Sequence, residues 1–147
     1  MSKFGHFEDM SVKADTTAEL TLHQIDVGGV SPTLIVKPST DANKPYFNAL
    51  LKRSGRNMRQ LQAGKITAGL IEENRAEDRE LFPKFVIVGW KDMLDADGNS
   101  IEFTPQDCRD FVGSIPDWLF DDITNFTKNP QNFLNTTSVD VGETGND

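Results

Sequence analysis

The sequence predicts an α+β fold, with a small N-terminal antiparallel β-sheet followed by a mostly helical remainder. Three observations predict it. The stretch AELTLHQIDVGG alternates apolar and polar residues, and Gly28-Gly29 joins it to a second β-rich run, VSPTLIVKP, which is hairpin chemistry. Apolar residues from Phe47 onward recur at helical spacing. Helix punctuation then recurs at Thr104-Pro105, Pro116-Asp117 and Asn129-Pro130.

Residues 1–17 are polar and lack a period, which reads as a flexible N-terminal arm. A single α+β domain is expected over residues 18–134. AELTLHQIDVGG supplies the first strand and the turn, and VSPTLIVKP the second strand. Pro32 near the start of that second run favours an edge position, and Pro38 ends it. Asn43 is a candidate N-cap, with Pro45 in the first helical turn. Phe47, Leu50, Leu51, Met58 and Leu61 mark the helix; Gly55 bends or breaks it and Gly64 caps it.

A second helix is expected from about Thr67 to Leu81, with Leu70 and Ile71 on its apolar side, Glu72, Glu73, Glu77 and Asp78 on its wet side, and Pro83 as its stop. Arg75 and Arg79 stand four apart beside acids, the pattern of a solvated face. FVIVGW is either a buried strand or the end of a helical core, because periodicity does not separate the two. The alternative architecture is mainly helical, with the β-run at 84–89 joining the hairpin as a third strand. DADGNS is a turn. Thr104-Pro105-Gln106-Asp107 opens a helix carrying Cys108, Phe111, Val112 and Ile115. Asp117 opens another with Trp118, Leu119, Ile123 and Phe126, and QNFL adds one turn. Residues 135–147 read as a disordered polar tail.

Charge narrows the function classes. The net charge of −8 disfavours nucleic acid and anionic membranes as partners. From Lys44 to Lys65 there are six basic residues and no acid, and from Trp90 to Asp147 twelve acids against three bases. The single cysteine rules out an internal disulfide and fits a reducing compartment. No run reaches the length of a signal peptide or of a membrane span, so a cytosolic protein is expected.

Candidate chemistry is thin. Asp95-Ala96-Asp97-Gly98-Asn99 invites a calcium loop, but the EF-hand register would put Met93 first and Thr104 last, both wrong. His6 and His23 have no partner at metal or catalytic spacing. Cys108 at helical spacing with Phe111 and Val112 reads as a buried structural thiol. Asp121 and Asp122 diverge by about 100° on a helix and read as water-facing. Neither a phosphate-binding glycine loop nor a Gly-x-Ser-x-Gly elbow occurs. The expectation is therefore no enzyme, no catalytic residue, no metal site and no cofactor.

Two sets of residues suggest partner binding instead. Lys52, Arg56 and Arg59 form a basic stripe at i, i+4 and i+7, which fits a solvated face, a protein-binding patch or nucleic acid. Trp118, Leu119 and Phe120 are consecutive, and a helix cannot bury all three on one narrow face. Trp118, Phe120 and Phe126 are accordingly the candidate docking anchors.

The order of segments resembles the tail assembly chaperones of long-tailed bacteriophages of the siphophage type. The resemblance rests on PTLIVKP, DANKPYFNALLKR, ENRAEDRELFPKFVIVGW, DADGNSIEFTPQDCRDF and PDWLFDDITNFTKNPQNF, and covers residues 18–134. It implies a protein of the host cell cytoplasm that is absent from the mature virion. Its implied partners are the tape measure protein, which it keeps soluble, and the tail tube protein, whose polymerisation it promotes. Self-association through the basic stripe is a further expectation. The alternative role is a minor virion structural protein, in the tail or as head decoration.

Overall fold

The computed structural model describes residues 3–53, 64 and 68–134. The fold is α+β. Strands β1 (Ala18–Thr21) and β2 (Thr33–Val36) form the N-terminal hairpin. Helices α1 (Lys44–Arg53) and α2 (Ala68–Phe85) follow. Strand β3 (Ile87–Lys91) then returns to the sheet before α3 (Pro105–Ser114) and α4 (Asp117–Lys128). Short 3-10 turns lie at Gly5–Met10 and Pro130–Phe133.

The hairpin forms where its glycines predict. Gly28 and Gly29 take φ of +61° and +86°, a left-handed pair that a two-residue turn requires. Val27 and Val30 close it with reciprocal backbone hydrogen bonds of 2.9 and 3.1 Å. The strand order is β1-β2-β3, all antiparallel, so β2 is central and not at an edge. Pro32 is tolerated because it stands just before the strand and serves as an acceptor, taking the Leu22 N–H at 2.8 Å. FVIVGW resolves as strand β3. Val36 pairs with Ile87 and Ile35 with Gly89, so Val88 is the extra residue of a bulge and lies exposed.

One sheet face is sealed and the other wet, as strand alternation dictates. Leu34, Val36 and Ile87 enter the core. On the opposite face Thr21 and Thr33 share a hydrogen bond, and Glu19 pairs with Lys91 across the central strand. Ile35 covers Gly89, where an added β-carbon would lie 3.3 Å from its Cδ1.

The helices cover the sealed face and complete a core of Tyr46, Leu81, Phe82, Cys108, Val112, Leu119, Phe120, Ile123 and Phe133. Its centre is a row of rings. Tyr46 meets Phe82 edge-on at 5.9 Å, and Phe82 meets Phe120 at 5.2 Å. Beside it Trp90 packs on Phe103 and Phe111, and its indole N–H donates to the Ile101 carbonyl.

Helix ends follow local chemistry with one correction. Asn43 caps α1: its side-chain oxygen accepts from the Tyr46 N–H, while its amide donates to the Pro38 and Phe85 carbonyls. Thr104 caps α3 by accepting from the Asp107 N–H at 3.0 Å. Thr104→Ala is expected to lower stability by about 1 kcal/mol. Urea denaturation measures it, and an unchanged midpoint would count against the cap. Pro83 does not stop α2, which continues to Phe85. Proline removes its own N–H and crowds the carbonyl four residues back, yet pairing resumes beyond it, where the Val86 N–H reaches the Phe82 carbonyl at 2.9 Å.

Gly64 takes a φ of +79°, while Gly55, Met58, Leu61, Thr67 and the tail at 135–147 lie outside the described residues. In residues 3–17, Val12 packs partly on the core and Asp15 pairs with Lys37 at 3.6 Å. Among the described residues no helix is long and apolar enough to cross a membrane.

Candidate functional site: a charged seam beside an exposed tryptophan

Helix α4 has a strong inward face. Leu119, Phe120, Ile123 and Thr127 are buried, and that leaves Trp118, Asp122 and Asn125 on the outer side. Trp118 is 57% exposed, whereas Phe120 is 1% exposed. The expectation that three consecutive apolar residues cannot all be buried is met, with Trp118 the one left outside. Phe120 is corrected from docking anchor to core residue. It lies against Phe82, with the Arg79 guanidinium 4.9 Å from its ring centre.

The first turn of α4 is held by α2. Arg75 forks onto Asp121, with Nε to Oδ1 at 3.0 Å and Nη2 to Oδ2 at 2.9 Å. Its Nη1 also reaches Asp117 at 3.5 Å. Arg79 donates to Asp117 at 2.7 Å and to the Val112 carbonyl near the end of α3. Hydrogen bonding from Arg75 pulls the Asp121 carboxyl below its ordinary value, and the Asp121 bond raises Arg75. These arginines are therefore half-buried ties between helices, not the solvated face their spacing suggests. Asp121 likewise faces a guanidinium, whereas Asp122 is exposed and accepts from the Gln24 amide. The forked geometry fixes direction as well as distance, which a single lysine does not do.

The remaining candidates lie elsewhere. Phe126 is half-buried and packs edge-on against Phe133 at 6.1 Å. It lines a groove with Thr17, Ala18 and Ile35 beside β1, about 12 Å along the helix from Trp118. Lys52 is exposed on α1, next to the partly exposed Leu51. Arg56 and Arg59 lie outside the described residues. The candidate anchors thus do not form one surface; Trp118 alone stands on the seam.

A buried polar group exists that sequence inspection missed. Tyr46 donates to Asp78 at 2.7 Å, and Lys128 approaches Asp78 at 3.9 Å. These residues come from α1, α2 and the end of α4, so no local spacing links them. Burial raises both the Tyr46 hydroxyl and the Asp78 carboxyl above their ordinary values. For Asp78 the Tyr46 hydrogen bond and Lys128 oppose that rise. Asp78 binds its proton more tightly in the folded chain than in the unfolded one. Its contribution to stability is full below the ordinary carboxylate value of 3.8 and is lost as pH rises through the raised value. Asp78→Asn keeps an acceptor for Tyr46 and cannot ionise. It is expected to flatten the decline in stability as pH rises from about 4. Urea midpoints across pH test this, and parallel curves for the two proteins would refute it.

Other chemistry-bearing groups have structural uses. Asp95 accepts from the Asn99 and Asp97 backbone N–H groups, both at 2.9 Å, and its carboxyl is held below the ordinary value chiefly by the Asn99 bond. Gly98 in the same turn takes a φ of +87°. Burial pushes the Cys108 thiol up to about 12, away from nucleophilic reactivity. His23 is exposed in the turn after β1. Among the described residues no group of three or more His, Cys, Asp or Glu side chains is placed to hold a metal ion.

The seam lies within the part of the chain that known proteins share. A family model described as the YdaY prophage protein matches residues 41–143, from the cap of α1 through α4 and beyond. No curated protein and no solved structure matches the chain. The matched stretch is well over half of the sequence: the chain belongs to the YdaY prophage protein family and is phage-derived.

Proposed function

We propose that this protein is a tail assembly chaperone that holds the tape measure protein in soluble form and promotes polymerisation of the tail tube around it. It acts by binding alone, with no catalysed reaction and no cofactor. It works in the host cell cytoplasm and stays out of the finished virion.

One observation carries this reading. A large aromatic ring, Trp118, stands 57% exposed on a helix turn that two arginines clamp. Exposed aromatics on rigid supports are the usual anchors of protein interfaces, because little order is lost when the partner arrives. A chaperone for a long helical protein needs such anchors with a charged rim, so that binding is reversible and the complex stays dissolved. Membership of a prophage family supplies the phage setting.

The test is co-expression with the tape measure protein of the same prophage, followed by affinity capture. The tape measure protein is expected to co-purify and to move from the insoluble to the soluble fraction. Failure of both would sink the assignment. Mass spectrometry of purified particles separates the virion alternative, since a stoichiometric presence there would favour a structural component.

A further inference from the structure

We infer that the α2–α4 seam receives a cationic amphipathic helix, whose apolar ridge covers Trp118 and Ile71 and whose lysines or arginines face the seam's carboxylates. This rests on the chaperone reading and specifies the chemistry of the segment held.

Charge balance at the seam is the first argument. Arg75 is within electrostatic reach of Asp121, Asp117 and Glu72. Arg79 pairs with Asp117, and Asp122 adjoins Asp121 on the outer side of α4. Three carboxylates, Asp117, Asp121 and Glu72, therefore face two guanidiniums, and Asp122 adds a fourth on the outer side of α4, so the tie between the helices leaves excess negative charge at the surface. Among the described residues Asp122 accepts from a neutral amide, that of Gln24. Asp117 and Asp121 keep 63% and 45% of their side chains exposed although both are ion-paired, so a second cation can approach them from solvent.

Apolar placement is the second argument. Trp118 stands one helical turn before Asp121 and Asp122, and Ile71, 50% exposed where its place beside the buried Leu70 suggested the inward side, stands one turn before Arg75. Both helices thus set an exposed apolar side chain next to the anionic seam. A helix that presents apolar residues at i, i+3 or i+4, flanked by cations, matches both features. An acidic or neutral segment would meet repulsion or leave the carboxylates uncompensated.

The test uses the full-length protein and overlapping synthetic peptides that tile the tape measure protein, read by fluorescence anisotropy. Binding is expected to concentrate in peptides with a cationic amphipathic pattern and to weaken markedly between about 50 and 300 mM salt. Glu72→Lys with Asp122→Lys is expected to weaken it about tenfold. Peptides whose cations are exchanged for glutamate are expected to bind that variant better than the native protein. Circular dichroism checks that the variant is folded; both positions are exposed.

The inference is overturned if the tightest peptides are neutral or acidic, or if affinity is indifferent to salt and to the double exchange. The chaperone reading survives that result if intact tape measure protein still co-purifies in a Trp118-dependent way, and both fail if it does not co-purify. The basic stretch from Lys44 to Lys65 gives a second copy of this chain similar chemistry. Light scattering that shows a salt-sensitive dimer from which peptides are excluded would assign the seam to self-association and overturn the inference.

Discussion

Phe120→Ala is expected to destabilise the protein by about 3–5 kcal/mol, the largest loss among the changes considered. The ring is buried at the centre of the Tyr46–Phe82–Phe120 row. Its removal leaves Phe82 without its partner at 5.2 Å and strips the surface under the Arg79 guanidinium. Sheet and helices meet in one cluster, so surrounding side chains can relax into the cavity only in part. Urea denaturation followed by far-UV circular dichroism measures the loss. A cost below about 1 kcal/mol would mean that Phe120 is not buried as described, and would restore it as a candidate for partner contact.

Trp118→Ala has the opposite signature. Stability is expected to change by no more than about 0.5 kcal/mol, since the ring is mostly in water and alanine is a good helix former. Affinity for the tape measure protein is expected to fall by about 30-fold or more, the scale of a loss of 2 kcal/mol at an interface anchor. The two readouts together are decisive because Trp118 and Phe120 are two positions apart on one helix. If binding survives Trp118→Ala with full affinity, the exposed indole is not the anchor and the seam loses its main apolar element. If stability falls instead, the ring supports the fold and its loss does not report on docking.

Much of the fold was legible because its signals act over a few residues. Gly28-Gly29 admits the positive φ that closes a hairpin. Thr104 reaches the N–H three positions on, and Asp95 those two and four positions on in its own turn. Cys108 and Val112 lie one helical turn apart and share the buried face. Pro83 shows the limit of such rules, because the proline sits inward among buried residues where packing keeps the last turn helical.

The site was harder to read. Three consecutive apolar residues announced that one ring must be left outside, and the choice depended on where Phe82 and Arg79 arrive from α2. Arg75 and Arg79 carried a correct helical spacing and a misleading message: acids beside them in sequence suggested water, while their hydrogen-bond partners lie 33 to 46 residues away. Asp78 looked like one more solvated acid until Tyr46, 32 residues earlier, closed over it.

The amino-acid order by itself determined the hairpin turn, the helix caps, the inward thiol and an α+β class, since hydrogen bonds and side-chain periodicity within about one helical turn specify them. Tertiary structure decided that β2 is central, that Trp118 is exposed while Phe120 is sealed, and that two arginines tie α2 to α4. Burial and charge pairing depend on which distant segment arrives at a surface, and no short-range rule contains that information.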